Sequence, residues 1–206
     1  MLKQFLHSTF CILHSAFINP LLRLKSPPVQ ILASSSHAKA IHSTADLLVR
    51  LRIDAAFVGS VARSAWLGSV VERGPIDVLA LMGPQQKNQV AMMASNRGFR
   101  VEREEIEQSE ELDLVPLNFI DPEGDVRVHV LVGSNALYGR MVASAVEAQI
   151  DDRTLRVPAA EDLALLLGMS GDEEAVQRIS ALPGFDRRAY NDKLASIGLS
   201  HWVVAE

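Results

Sequence analysis

One stretch of the chain gathers residue types that could do chemistry together. Residues 55–81 read AAFVGSVARSAWLGSVVERGPIDVLAL: an apolar strand, a Gly59-Ser60 turn, a helix, and a second apolar strand carrying a single carboxylate, Asp77. Small residues where a buried strand enters a helix let backbone N–H groups approach a phosphate. A carboxylate on the next strand could hold a metal ion beside that phosphate, because hard divalent cations take oxygen ligands. Arg63, four residues past Gly59, either reaches a phosphate at the helix start or is solvated on an exposed face. Trp66 reads as core or interface ahead of a base-stacking platform, and Glu72 with Arg73 reads as a surface ion pair worth little. Ser60 has no histidine at a recognisable hydrolase spacing.

The elements that must position these residues follow from periodicity. Ala40, Ile41, Ala45, Leu47, Leu48 and Leu51 recur at helical spacing, and residues 53–58 make a strand. A helix is expected over 61–70, a strand over 76–82 after the Arg73-Gly74-Pro75 breaker, and a helix over 86–97 closed by Gly98. Residues 99–101 form a short strand, and the acidic run from 102 to 113 reads as a solvated edge or loop. Apolar runs at 115–120 and 126–132 flank the turn DPEGD, which specifies a β-hairpin. Helices are then expected over 138–149, from Pro158 through AAEDLALLLGM, over 173–182 and over 187–197, with a short extended piece at 154–157. Residues 199–203 are expected to cap this bundle.

Composition sets the outer limits. The chain has 206 residues, 48% of them hydrophobic and 22% charged, enough for one domain with a small appendage. A net charge of −5 gives no sign of a general nucleic-acid or anionic-membrane binder, and no run of about 18 apolar residues offers a membrane span. All 25 acidic side chains lie beyond residue 45, whereas residues 1–45 carry only Lys3, Arg23, Lys25 and Lys39. Within that segment LHSTF at 6–10 recurs as LHSAF at 13–17. It reads as a targeting peptide, a secretory signal interrupted by polar residues, or a read-through repeat, and is taken as a tail over 1–36. The single cysteine, Cys11, excludes an internal disulfide and fits a reducing compartment, so a cytoplasmic location is expected.

Order and spacing over residues 45–200 resemble the nucleotidyltransferase superfamily, in the branch of minimal nucleotidyltransferases and AbiEii-type abortive-infection toxins. FVGSVA at 57–62 is similar to its apolar-Gly-[Gly/Ser] turn and PIDVLAL at 75–81 to its carboxylate strand. VRVHVLVG at 126–133, followed by LRVPAAEDLALLLG at 155–168, is similar to its entry into the C-terminal helices. The resemblance implies an α/β (α+β) fold with a mixed β-sheet flanked by helices. It places a nucleotidyltransferase-like core at 37–133 and a C-terminal helical segment at 134–206. It also implies Mg²⁺ and a nucleoside triphosphate as cofactor and substrate of an active member, and a nucleotide, an antitoxin-like protein or another protein as partner.

The resemblance further implies two carboxylates two positions apart on one strand, which face the same side of a sheet, and a third on a neighbouring strand. Laid on this sequence, Asp77 is the retained carboxylate. Pro75 or Leu79 stands where its partner would be, and His129 takes the third position. The family's lysine in the C-terminal helix is replaced by Leu167. Imidazole is a poor Mg²⁺ ligand. Asp77 and His129 either make a sparse transition-metal site or pair directly by a charge-assisted hydrogen bond. Three functions are therefore open: a catalytically degenerate nucleotidyltransferase-fold module binding a nucleotide or partner through Gly59, Ser60 and Arg63; an active transferase moving a nucleotide onto RNA or protein, with a second acid from Glu72 or the 102–113 run; and a plain α/β interaction domain.

Overall fold

The computed structural model describes residues 29–102 and 114–199. Strands β1 (Val29–Gln30) and β2 (Leu32–Ala33) lead into helix α1 (Ser35–Arg50), started by Ser34, whose hydroxyl accepts the His37 backbone N–H. Strand β3 (Asp54–Phe57), helix α2 (Gly59–Leu67), strand β4 (Val70–Val71), strand β5 (Ile76–Leu81), helix α3 (Pro84–Asn96) and strand β6 (Arg100–Glu102) follow. Strands β7 (Leu114–Ile120) and β8 (Arg127–Gly133) make the hairpin. Helix α4 (Ala136–Ala143), strands β9 (Val146–Ile150) and β10 (Arg153–Val157), and helices α5 (Ala160–Met169), α6 (Glu173–Ser180) and α7 (Arg187–Ser196) complete the described chain.

Among the described residues the central sheet has the order β3-β5-β8-β7-β6, with β5 and β8 parallel and the other neighbours antiparallel. The hairpin turn is held by Asp121. Its buried carboxylate accepts the backbone N–H groups of Glu123, Asp125 and Val126 at 3.1, 2.9 and 2.7 Å. One sheet face buries Ile76, Val78 and Ala80 with Val128, Val130 and Val132, the period of two that a pleated strand imposes. The opposite face is closed toward the strand ends, where Leu79 is buried. There Tyr138 of α4 packs so tightly on Gly133 that a Cβ at that glycine would come within 2.8 Å of the ring. Toward the starts of β5 and β8 this face opens, and it carries Asp77 and His129.

The expected mixed α/β architecture is observed, with three differences. The helix expected over 138–149 ends at Ala143, and β9 turns back into β10 through Asp151 at φ +51°. Ala148, Ile150, Leu155 and Val157 are buried at intervals of two, so tertiary pairing with β1 and β10 overrides a helical reading of the segment. The helix expected over 61–70 starts at Gly59 and stops at Leu67 because Gly68 takes the left-handed conformation (φ +67°), freeing Val70 and Val71 to pair with β2. Strands β1 and β2 lie ahead of the expected start near His37, within the segment read as a tail. Residues 1–28, most of the acidic run and the expected cap beyond Leu199 lie outside the described residues. No helix among the described residues is long and apolar enough to cross a membrane.

Candidate functional site

Strand β3 ends in Phe57, and Val58 donates its N–H to the Asp77 carbonyl at 2.9 Å, so the entry to α2 is tied to the start of β5. Gly59 follows at φ +54°, and no side chain caps the helix. First-turn N–H groups of an uncapped helix keep their hydrogen-bonding capacity for a ligand. The Ser60 hydroxyl donates away from that turn, to the Pro75 carbonyl at 3.3 Å. His37 holds the adjoining Gly74 carbonyl from the other side through Nε2 at 3.2 Å, with Nδ1 against the Ser34 hydroxyl at 3.0 Å. The loop preceding Asp77 is thus pinned from α1 and α2 together.

Asp77 is gripped on two sides. A Cβ on Gly59 would overlap Oδ2 and come within 3.2 Å of the carboxylate carbon, so the glycine backbone lies directly against that oxygen. The other oxygen, Oδ1, is 3.1 Å from His129 Nδ1. The two side chains are 26% and 31% exposed, open enough to meet a ligand. Register extends the row: Asp77 pairs with His129, His129 with Asn118, and Asn118 with Glu102, so the four residues share one face of the sheet. Glu102 lies 3.7 Å from Arg127 Nε.

The other residues singled out in the sequence have defined places. Arg63 Nη1 donates to Asp172 Oδ2 at 2.7 Å, and Asp172 also caps α6 through the Ala175 N–H. Trp66 Nε1 donates to the Pro158 carbonyl at 2.9 Å, making it an interface residue between α2 and the entry to α5. Leu167 is buried in α5. Glu102 is the first residue of the acidic run offered above as the source of a second acid, whereas Asn118 and the part played by Asp162 were not foreseen from the sequence. The Asp162 carboxylate is 2% exposed, pairs with Lys193 of α7 and accepts the Ser144 hydroxyl at 2.8 Å.

The donor set at Asp77 does not fit a pair of Mg²⁺ ions. Pro75, just ahead of β5, and Leu79 within it flank Asp77 without a side-chain oxygen, an imidazole occupies the neighbouring strand, and Oδ1 is committed to that imidazole. Among the described residues no group of three or more His, Cys, Asp or Glu side chains is arranged to hold a metal.

No family model and no curated protein matches the chain. Among solved structures, the chain is similar to the crystal structure of ANT(2″)-Ia in complex with adenylyl-2″-tobramycin, with a TM-score of 0.54 and 16% identity. That match covers 81% of this chain and 99% of the other. The chain has the nucleotidyltransferase fold. The solution structure of the antibiotic-resistance factor ANT(2″)-Ia matches equally well, with a TM-score of 0.54 and 14% identity over 81% of this chain and 93% of the other. On the nucleotidyltransferase fold of this chain, β5 carries the carboxylate and the uncapped start of α2 lies against it.

Proposed function

We propose that this chain is a nucleotidyltransferase-fold module that binds a nucleotide in the cytoplasm without metal-dependent transfer. The phosphates run from Gly59 and Ser60 at the start of α2 over the open face of β5 and β8. The observation that carries this reading is the Asp77–His129 hydrogen bond at 3.1 Å. It occupies the place where the resemblance calls for carboxylates sharing metal ions. Arg63 is engaged by Asp172, so it would reach the phosphates only by giving up that ion pair, and an antitoxin-like or other protein is the partner that would read the bound state.

The test is calorimetry of the full chain with ATP, in Mg²⁺ and in EDTA, alongside a transfer assay with labelled ATP and RNA or protein acceptors. Binding in both conditions with no transfer supports the reading. Mg²⁺-dependent transfer abolished by Asp77→Ala overturns it in favour of the active transferase. Absence of binding in both conditions supports the plain interaction domain.

A further inference from the structure

The same pair that displaces a metal site has the geometry of a base. An ionised carboxylate only accepts hydrogen bonds, so Asp77 Oδ1 fixes the proton of His129 on Nδ1. The lone pair is thereby left on Nε2. That atom makes no hydrogen bond within the described residues and is not among the buried unsatisfied atoms, so it faces the open side of the sheet. Beside it in register stands Asn118, half-buried, whose carboxamide also has no hydrogen bond within the described residues. Arg127 lies two residues before His129 and hence on the same face, 58% exposed and only loosely paired with Glu102 at 3.7 Å. A base held by a carboxylate, an amide donor and a cation thus line one open strip beside the start of α2.

We infer that Asp77 and His129 form a metal-independent general-base dyad that hydrolyses a phosphoanhydride bond of a bound nucleoside triphosphate. This rests on the nucleotide-binding reading above. His129 Nε2 takes a proton from water, and the water oxygen forms a bond to phosphorus. The anhydride P–O bond breaks with its electron pair on the departing group, the nucleoside diphosphate for attack at the γ-phosphorus or pyrophosphate for attack at the α-phosphorus, and the proton on His129 passes to solvent. Asn118 donates to the phosphoryl oxygen that gains charge, and Arg127 with the first-turn N–H groups of α2 offsets the charge of the leaving group. Asp77 acts through His129 and is a positioning residue.

The experiment follows ATP with the full chain in EDTA by ³¹P NMR, with ATP binding measured in parallel by calorimetry. Wild type is expected to release phosphate or pyrophosphate. His129→Ala is expected to bind ATP as wild type does and lose roughly 10²–10⁴-fold in turnover, part of it restored by added imidazole. Asp77→Asn is expected to shift His129 away from the Nδ1–H tautomer in ¹⁵N spectra and to lower turnover with ATP still bound, and a tautomer shift with unchanged turnover would make the aspartate merely structural. ATP binding without turnover, or turnover equal in wild type and His129→Ala, overturns the dyad and leaves the binding module standing. Failure of wild type to bind ATP overturns both.

Discussion

Gly59 has no side chain because the Asp77 carboxylate stands where one would be. Two independent effects act there: the left-handed φ of +54°, which penalises any residue with a Cβ, and the overlap such a Cβ makes with Oδ2. Gly59→Ala is therefore expected to cost about 1–3 kcal/mol, read as a lower denaturant midpoint, and to disturb the Asp77–His129 hydrogen bond. A variant with unchanged midpoint and unchanged His129 tautomer would show that the turn tolerates a Cβ. At this scale the sequence was legible where chemistry is local: Gly59, Ser60 and Asp77 stand out by spacing, and His129 by occupying a position the resemblance reserves for an acid. Asn118 stayed hidden although the hairpin turn implies it. Pairing Ile120 with Arg127 across DPEGD puts Asn118 opposite His129, a consequence of register that apolar patterning alone does not display.

Between elements, the site is stiffened by contacts that cross long stretches of chain. Arg63–Asp172 and Trp66–Pro158 fix α2 to the C-terminal helices, while Asp162–Lys193 joins α5 to α7. Lys193→Met leaves the buried Asp162 carboxylate with only Ser144. The expected loss is near the lower end of the roughly 3–5 kcal/mol for breaking a buried pair, because a third of the Lys193 side chain (33%) is exposed. Chemical denaturation measures it, and a loss under about 1 kcal/mol would mean that the pair behaves as an exposed one. Tyr190 of α7 is buried against Phe185, and burial raises its phenol above the ordinary value of 10.0. The contribution of the neutral phenol is fully present below pH 10.0 and is lost as pH rises through the higher folded value. Tyr190→Phe should therefore remove part of the alkaline destabilisation seen in melting curves, and equal alkaline losses in both proteins would contradict it. None of these pairings was legible beforehand, since each joins residues 18 or more positions apart except the ring pair. The β9–β10 hairpin escaped for a related reason: its strands are stabilised by β1, which lies in a part of the chain read as tail.

For the molecule as a whole, the order of helices and strands between residues 53 and 133 was readable from apolar period and Gly/Pro punctuation, and the nucleotidyltransferase fold follows that order. The pinned loop at Gly74-Pro75, the open face at the starts of β5 and β8 and the row from Asp77 to Glu102 depend on three-dimensional register and on packing against α1 and α4. On the proposed reading the start of α2 serves as a phosphate cradle, and a carboxylate–imidazole pair stands where the resemblance calls for a carboxylate cluster. The most direct test is the titration of the full chain with ATP in Mg²⁺ and in EDTA. The account predicts binding of the same affinity in both. Binding that appears only with Mg²⁺ and disappears in Asp77→Asn would contradict it.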